Sequence, residues 1–220
     1  MQPQAYNIMH KVLHAADWSV GVIDLLAAKN LVEKFHYAKG ASNTATYLHG
    51  LFDSCGHLHG IAWWIPPTKS AAMATYPEWK RVLCLSRLVI TPDTPRNACT
   101  FLLSRSRKAI PIERWPCLVT YADQWQGHIG TIYKADNWDY VGLTKPERVY
   151  VVGDRMTARK AGPKTRTHAE MLALGAVSRL RSICRLSRSC PIVFSMRRES
   201  QESMRELCMM PLERFYPLFF

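Results

Sequence analysis

The chain has 220 residues, 48% of them hydrophobic, which suffices for one domain with a real core and excludes a disordered chain. Its 29 Lys and Arg against 17 Asp and Glu give a formal net charge of +12, an excess that favours an anionic partner, nucleic acid before others. No apolar run has the length of a bilayer span, and the first residues lack the layout of a secretory signal, so a cytoplasmic protein is expected. The seven cysteines are odd in number and scattered, with no C-x-x-C pair, which argues against a disulfide framework and against a structural zinc site of that type.

In chain order, residues 20–35 carry apolar side chains at helical spacing and are expected as a helix, with Gly40 as its cap. Residues 45–51 and 58–65 read as two strands of a hairpin that turns at Asp53-Ser54-Cys55-Gly56. Residues 82–90 are the next strand, with Arg87 interrupting its apolar face. Pro95 suits the first turn of a helix capped by Asp93 or Thr94 and running to Lys108. Next come a strand over 118–121, a short helix over 127–135 and strands over 139–143 and 148–152. After Asp154 comes a basic loop, then an expected helix over 168–186, and the last forty residues show little periodicity. The expectation is therefore a domain over 1–154 and a basic segment over 155–220.

Strand, turn, helix, strand is the grammar of a crossover between parallel strands, and ligands in open α/β sheets bind outside the carboxyl ends of such strands. Asp123 follows a buried-looking strand directly, and His128 opens the next expected helix five residues later. A carboxylate and an imidazole in that place suit proton transfer at an amine. The plainer alternative is that Asp123 caps the short helix and His128 packs beside it. Tyr121 and Tyr133 are candidates to line the same pocket. Trp63, Trp64, Trp125 and Trp138 are candidates to stack on a base, or core residues. His57 and His59 share one face of a strand at metal-ligand spacing, but the hairpin turn explains residues 53–60 without a metal and is preferred.

The order of elements resembles the GNAT acyltransferase fold: an α/β (α+β) domain in which a mixed sheet with splayed central parallel strands is flanked by helices. That resemblance implies acetyl-CoA as donor, held where Arg96, Asn97 and Ala98 open a helix, with Tyr133 nearby. The loop 91–98 has no glycine, and Pro95 removes a donor amide, which counts against CoA.

Residues 36–142 carry a narrower resemblance. His36-Tyr37-Ala38-Lys39, Leu85-Ser86-Arg87-Leu88-Val89, Pro95-Arg96-Asn97-Ala98 with Phe101-Leu102, Thr120-Tyr121-Ala122-Asp123, the run from Gly127 through His128 to Tyr133, and Asn137-Trp138-Asp139-Tyr140-Val141-Gly142 resemble the phage Mom family of DNA-modification proteins. Thr167 to Gly175 fits as well, whereas Ala176 onward departs. The resemblance implies a GNAT-like enzyme in the host cytoplasm that converts the N6 amine of adenine in double-stranded phage DNA to a methylcarbamoyl derivative and blinds host restriction. It implies a small-molecule acyl donor and a catalytic set of Asp123, His128, His36 and Tyr37. His36, Asp123 and His128 would also make a set suited to Fe(II). Lys39, Arg105, Lys108, Arg159, Lys160 and Lys164 are the candidate contacts to DNA phosphates. The alternatives are an ordinary N-acetyltransferase acting on a small amine or a protein, and a non-catalytic DNA-binding protein.

Overall fold

The computed structural model describes residues 12–38, 40–123, 127–153, 155–157, 160–161 and 164–189. The chain begins with β1 (Trp18–Val22), α1 (Leu25–Phe35), β2 (Tyr47–Asp53), β3 (Leu58–Ile65), α2 (Lys69–Met73) and β4 (Val82–Ile90). It continues with α3 (Ala98–Lys108), β5 (Cys117–Ala122), α4 (Thr131–Ala135), β6 (Asp139–Leu143), β7 (Glu147–Val152) and β8 (Arg155–Thr157). The last described elements are β9 (Lys160–Ala161), β10 (Lys164–Thr165), α5 (His168–Ala173), β11 (Val177–Arg181) and β12 (Cys184–Ser189).

Seven strands form the main sheet in the order β1-β2-β3-β4-β5-β12-β6, and β11-β7-β8 form a smaller antiparallel sheet. Alternation along β3 gives each sheet face its own core. Ile61 and Trp63 pack with Ala28 and Val32 of α1 on one face, while Ala62 and Trp64 pack with Leu102 and Leu103 of α3 on the other. Both helices are thus fixed by burial of an apolar stripe. The close approach of β4 to this end of β3 is why residue 60 is glycine. A Cβ there would lie 2.4 Å from Ile90 Cδ1 and 2.8 Å from the Val89 carbonyl oxygen.

β4 and β5 pair in parallel only over Val82–Leu85 and Cys117–Thr120. Beyond that, β4 runs on with β3 and β5 with β12, so the two central strands part, as expected. A bulge opens at the same level: Trp63 opposes Arg87 and Trp64 opposes Leu85, leaving Ser86 unpaired with β3. Thr120 Oγ1 donates to the Leu85 carbonyl (3.2 Å) at the point of parting.

Several expectations are corrected. Trp18–Val22 is an edge strand, since its β-branched valines pair with β2, and the helix starts only after Asp24, whose carboxylate accepts from the Ala27 amide (2.8 Å). α3 starts at Ala98, with Asn97 as its N-terminal flanking residue. The helix expected over 168–186 stops at Ala173. Gly175, at φ 75°, turns the chain left-handed, and its amide and that of Ala176 cap α5 on Leu172 and Met171. Past this turn the chain forms two strands, and β12 inserts between β5 and β6, so the boundary at 154 would cut through the main sheet. Trp63, Trp64 and Trp138 are buried core and do not face a base, and Trp125 lies outside the described residues. No helix among the described residues is long and apolar enough to cross a membrane.

Candidate active site

Asp123 leaves β5 just past the level where the central strands separate, and it is 2% exposed. A buried carboxylate needs a cationic or hydrogen-bonding partner, and here it is Arg181. Arg181 Nε donates to Oδ1 at 3.0 Å, and Nη2 closes a second, short contact to Oδ2. This fork-on-fork pair is the strong form of a charged hydrogen bond. It excludes the helix-cap reading of Asp123, because α4 is preceded by Gly130 at φ 79° and not by Asp123.

His128 lies in an irregular exposed segment ahead of α4, not within a helix as expected, and is tied to Asp123 through the backbone: its amide donates to the Asp123 carbonyl (3.1 Å). Its ring meets that of Tyr37 at 5.5 Å, and Tyr37 stacks on His36 at 4.3 Å. His36 Nδ1 in turn accepts from the Ala38 amide (3.1 Å), which fixes the ring against the chain leaving α1. Tyr37 stays protonated above its ordinary range. Burial of its hydroxyl is the main cause and the Asp123 charge adds to it, while Arg181 and Arg87 pull the other way. The expected catalytic residues Asp123, His128, Tyr37 and His36 are therefore neighbours, although Tyr37 and Asp123, the nearest members of the two segments, are far apart in sequence.

Arg87 and Arg181 belong to this cluster too, and neither follows from sequence reasoning. Arg87 sits beside the bulge, its Nε donating to the Gly40 carbonyl (2.9 Å) and its Nη1 to the Ser86 carbonyl (2.7 Å), so it clamps the loop after α1 to the parted strand. The signal was present as a lone arginine in an otherwise apolar strand. Arg181 comes from β11, in a stretch expected to be helix.

Iron does not fit this arrangement. The Asp123 carboxylate is committed to Arg181, and among the described residues the group of three whose ligand atoms lie within 4.8 Å of one another is Asp53, His57 and His59. An acyl-CoA pyrophosphate fits better. The first turn of α3 has no side-chain cap, Arg96 and Asn97 are exposed beside it, and Asn97 takes φ 68°, the left-handed turn glycine would otherwise supply. The Ala98 amide is turned to the Pro95 carbonyl at 3.3 Å. Tyr133 sits behind the split, hydrogen-bonded to Thr120, its hydroxyl pushed up to about 12 by burial.

Arg105 and Lys108 lie at the far end of α3, which runs back from the carboxyl end of β4 to the start of β5, so they are remote from Asp123. Arg105 lines a separate cavity of about 400 Å³ with Trp18, Val20, His49 and Phe101. Lys39 and Arg159 lie outside the described residues, and of Lys160 and Lys164 only the backbone is described.

The sequence profile of the Mom protein family matches residues 17–196. The chain belongs to the Mom family. A curated relative of this Mom-family chain, the methylcarbamoylase Mom of Escherichia phage Mu, is 28% identical over 131 residues, covering 56% of this chain and 53% of that one. The match thus spans about half the length of that relative. Among solved structures, a spermidine N-acetyltransferase SpeG chimera from Vibrio cholerae is 11% identical, covers 79% of this chain and 95% of its own, and superposes with a TM-score of 0.50. YncA of Salmonella typhimurium, solved with its cofactor acetyl-CoA, is 8% identical, covers 79% and 94%, and has a TM-score of 0.49. The superposition on the SpeG chimera and the sheet order give the Mom-family chain a GNAT-like fold: a mixed sheet, splayed central strands and flanking helices.

Proposed function

We propose that this chain is a DNA-modifying transferase that converts the N6 amine of adenine to a methylcarbamoyl derivative and so shields phage DNA from host restriction. One observation carries the reading: a buried carboxylate, gripped by an arginine, at the mouth of two parted strands, with the partly exposed Tyr37 and the exposed His128 beside it. Family membership and the name of the phage Mu relative supply the chemistry to expect.

The N6 lone pair is delocalised into the purine, so the amine attacks well only if a proton leaves as the new bond forms. His128, exposed at the rim, is the group to accept it. Tyr37, held protonated, donates a hydrogen bond or a proton on the leaving-group side. Asp123 fixes Arg181, and Arg181 with Arg87 supplies positive charge where an oxyanion would develop. Arg96, Asn97 and the first turn of α3 would hold an acyl-CoA, which when bound supplies an activated carbonyl. A methylcarbamoyl group contains a nitrogen that an acetyl group lacks, so the donor must already carry a methylcarbamoyl group. As N6 bonds to its carbonyl carbon, the bond from that carbon to the leaving group breaks, and the leaving group departs with the proton that Tyr37 donates. A duplex adenine must be extruded to reach the rim, with Lys39 and the basic run 159–166 as proposed phosphate contacts.

The test is protection from restriction. DNA from cells producing the wild-type chain should resist enzymes whose recognition sites contain adenine, and DNA from cells producing His128→Ala should be cut as in cells lacking the chain. Full cleavage with the folded wild type overturns the reading.

A further inference from the structure

The β2–β3 turn holds a second cluster that the transfer chemistry does not use. Asp53, the last residue of β2, spends Oδ1 on its own turn, accepting from the backbone amides of Cys55 (2.9 Å) and His57 (2.8 Å). That fixes Oδ2, and two imidazoles converge on this single oxygen, His57 Nδ1 at 3.1 Å and His59 Nε2 at 3.1 Å. Partial burial works against the Asp53 charge, but the His57 amide, both imidazoles and the Cys55 amide together hold its carboxyl below the usual range.

The far side of His59 is equally defined. Its Nδ1 faces Thr91 Oγ1 at 3.3 Å and Asp93 Oδ2 at 3.6 Å, and its ring meets Trp18 edge-on at 5.1 Å. The His59 side chain is only 17% exposed, whereas that of His57 is 74% exposed. The His59 ring thus turns Nε2 to the Asp53–His57 set, while Nδ1 lies within hydrogen-bond distance of Thr91 Oγ1 and beside the Asp93 carboxylate; partners behind the ring are what orient metal-binding histidines. Ligands at about 2.0–2.1 Å in a tetrahedron stand about 3.3 Å apart; here both imidazole nitrogens lie 3.1 Å from Oδ2, and all three ligand atoms lie within 4.8 Å of one another.

We propose that Asp53 Oδ2, His57 Nδ1 and His59 Nε2 form a binding site for a borderline divalent transition-metal ion of the zinc class, oriented by Asp93. Two imidazoles and one carboxylate are the donor set such an ion takes, leaving a fourth position for water. The hairpin reading of residues 53–60 stands, and the metal adds to it. Because Asp93 belongs to the loop between β4 and α3, the ion would tie the hairpin turn to the segment that carries Arg96 and Asn97. It is a bracing site, separate from the Asp123 cluster.

The experiment is zinc binding by the full chain, stripped of metal and titrated with Zn²⁺ by calorimetry, with bound metal counted by elemental analysis after dialysis. One equivalent is expected, together with a rise in Tm. His57→Ala with His59→Ala should abolish the equivalent, Asp93→Asn should weaken it about 10-fold or more, and His128→Ala should keep it. The exposed position of His57 makes single His57→Ala a control that folds normally. If wild type binds zinc no more tightly than the double variant, or the bound equivalent disappears only with His128→Ala, the proposal is overturned. In that case His59 is a histidine shared between Asp53 and Asp93 without a metal.

Discussion

Arg181 reaches Asp123 across 58 positions of sequence and, in doing so, joins the two sheets: Arg181 ends β11 of the smaller sheet, and Asp123 follows β5 of the larger. The Asp123 side chain is 1% exposed and that of Arg181 17%, so neither charge can fall back on bulk water. Removing one partner should therefore cost about 3–5 kcal/mol. Arg181→Met is expected to lower the unfolding free energy measured in urea by that amount, and Asp123→Asn in the Arg181→Met background should recover part of the loss. Equal losses from the two single changes that simply add in the double variant would show that the pair is not coupled.

The close contact of β3 with β4 at Gly60 gives a second expectation. Gly60→Ala places a methyl against Ile90 and the rigid Val89 carbonyl, and overpacking of this kind costs about 1–3 kcal/mol. Thermal unfolding of the variant should show a lowered Tm with unchanged secondary structure at room temperature. A Tm within error of wild type would mean that Ile90 and the β4 backbone give way freely.

The buried tyrosines set the alkaline limit. Tyr133 and Tyr121 are pushed from 10 to about 12 by burial, so the fold favours their protonated forms. Below pH 10 both folded and unfolded chains hold the tyrosine protons, and only the buried Cys84 and Cys99 thiols, raised from 9 to about 12, weaken the fold from pH 9 upward. Between pH 10 and 12 the unfolded chain ionises first and stability falls. Denaturation midpoints measured at pH 9, 10 and 11 should decline at the upper end, and Tyr121→Phe with Tyr133→Phe should flatten that decline.

Position along the β4–α3–β5 crossover gives a contrast within the basic residues. Arg87 clamps the loop behind His36 and Tyr37, whereas Arg105 stands at the opposite end of the crossover. Arg87→Ala should reduce modification at least 10-fold, and Arg105→Ala should leave it within about 2-fold, by nucleoside quantification normalised to soluble protein. The reverse ranking would move the reactive centre away from the parted strands.

Legibility tracked the kind of force that decides each element. β4 and β6 form where the sequence places them, because strand-favouring Val, Ile and Tyr side chains bounded by turn residues mark strands locally. Trp18–Val22 misled, since Val20 and Val22 continue the apolar spacing of α1 and only pairing with β2 makes them strand. β11 and β12 misled more: arginines at 179, 181, 185 and 188 blur both periods, and the ion pair and sheet insertion that settle the matter are tertiary. The place of Asp123, buried at the end of β5, was legible because it follows an apolar strand directly. Its partner was not, since no local signal says which of 29 basic residues will come to it. The iron set failed for the same reason, the carboxylate having been claimed by Arg181.

Nucleoside mass spectrometry of DNA from cells producing the wild-type chain, beside Asp123→Ala and His128→Ala made at equal soluble levels, tests the central claim most directly. Wild-type DNA should contain adenosine carrying a methylcarbamoyl group on N6, and both variants should lose it. Unmodified adenosine in the wild-type sample, or undiminished modification in the His128→Ala sample, would contradict a reactive centre built on Asp123 and His128.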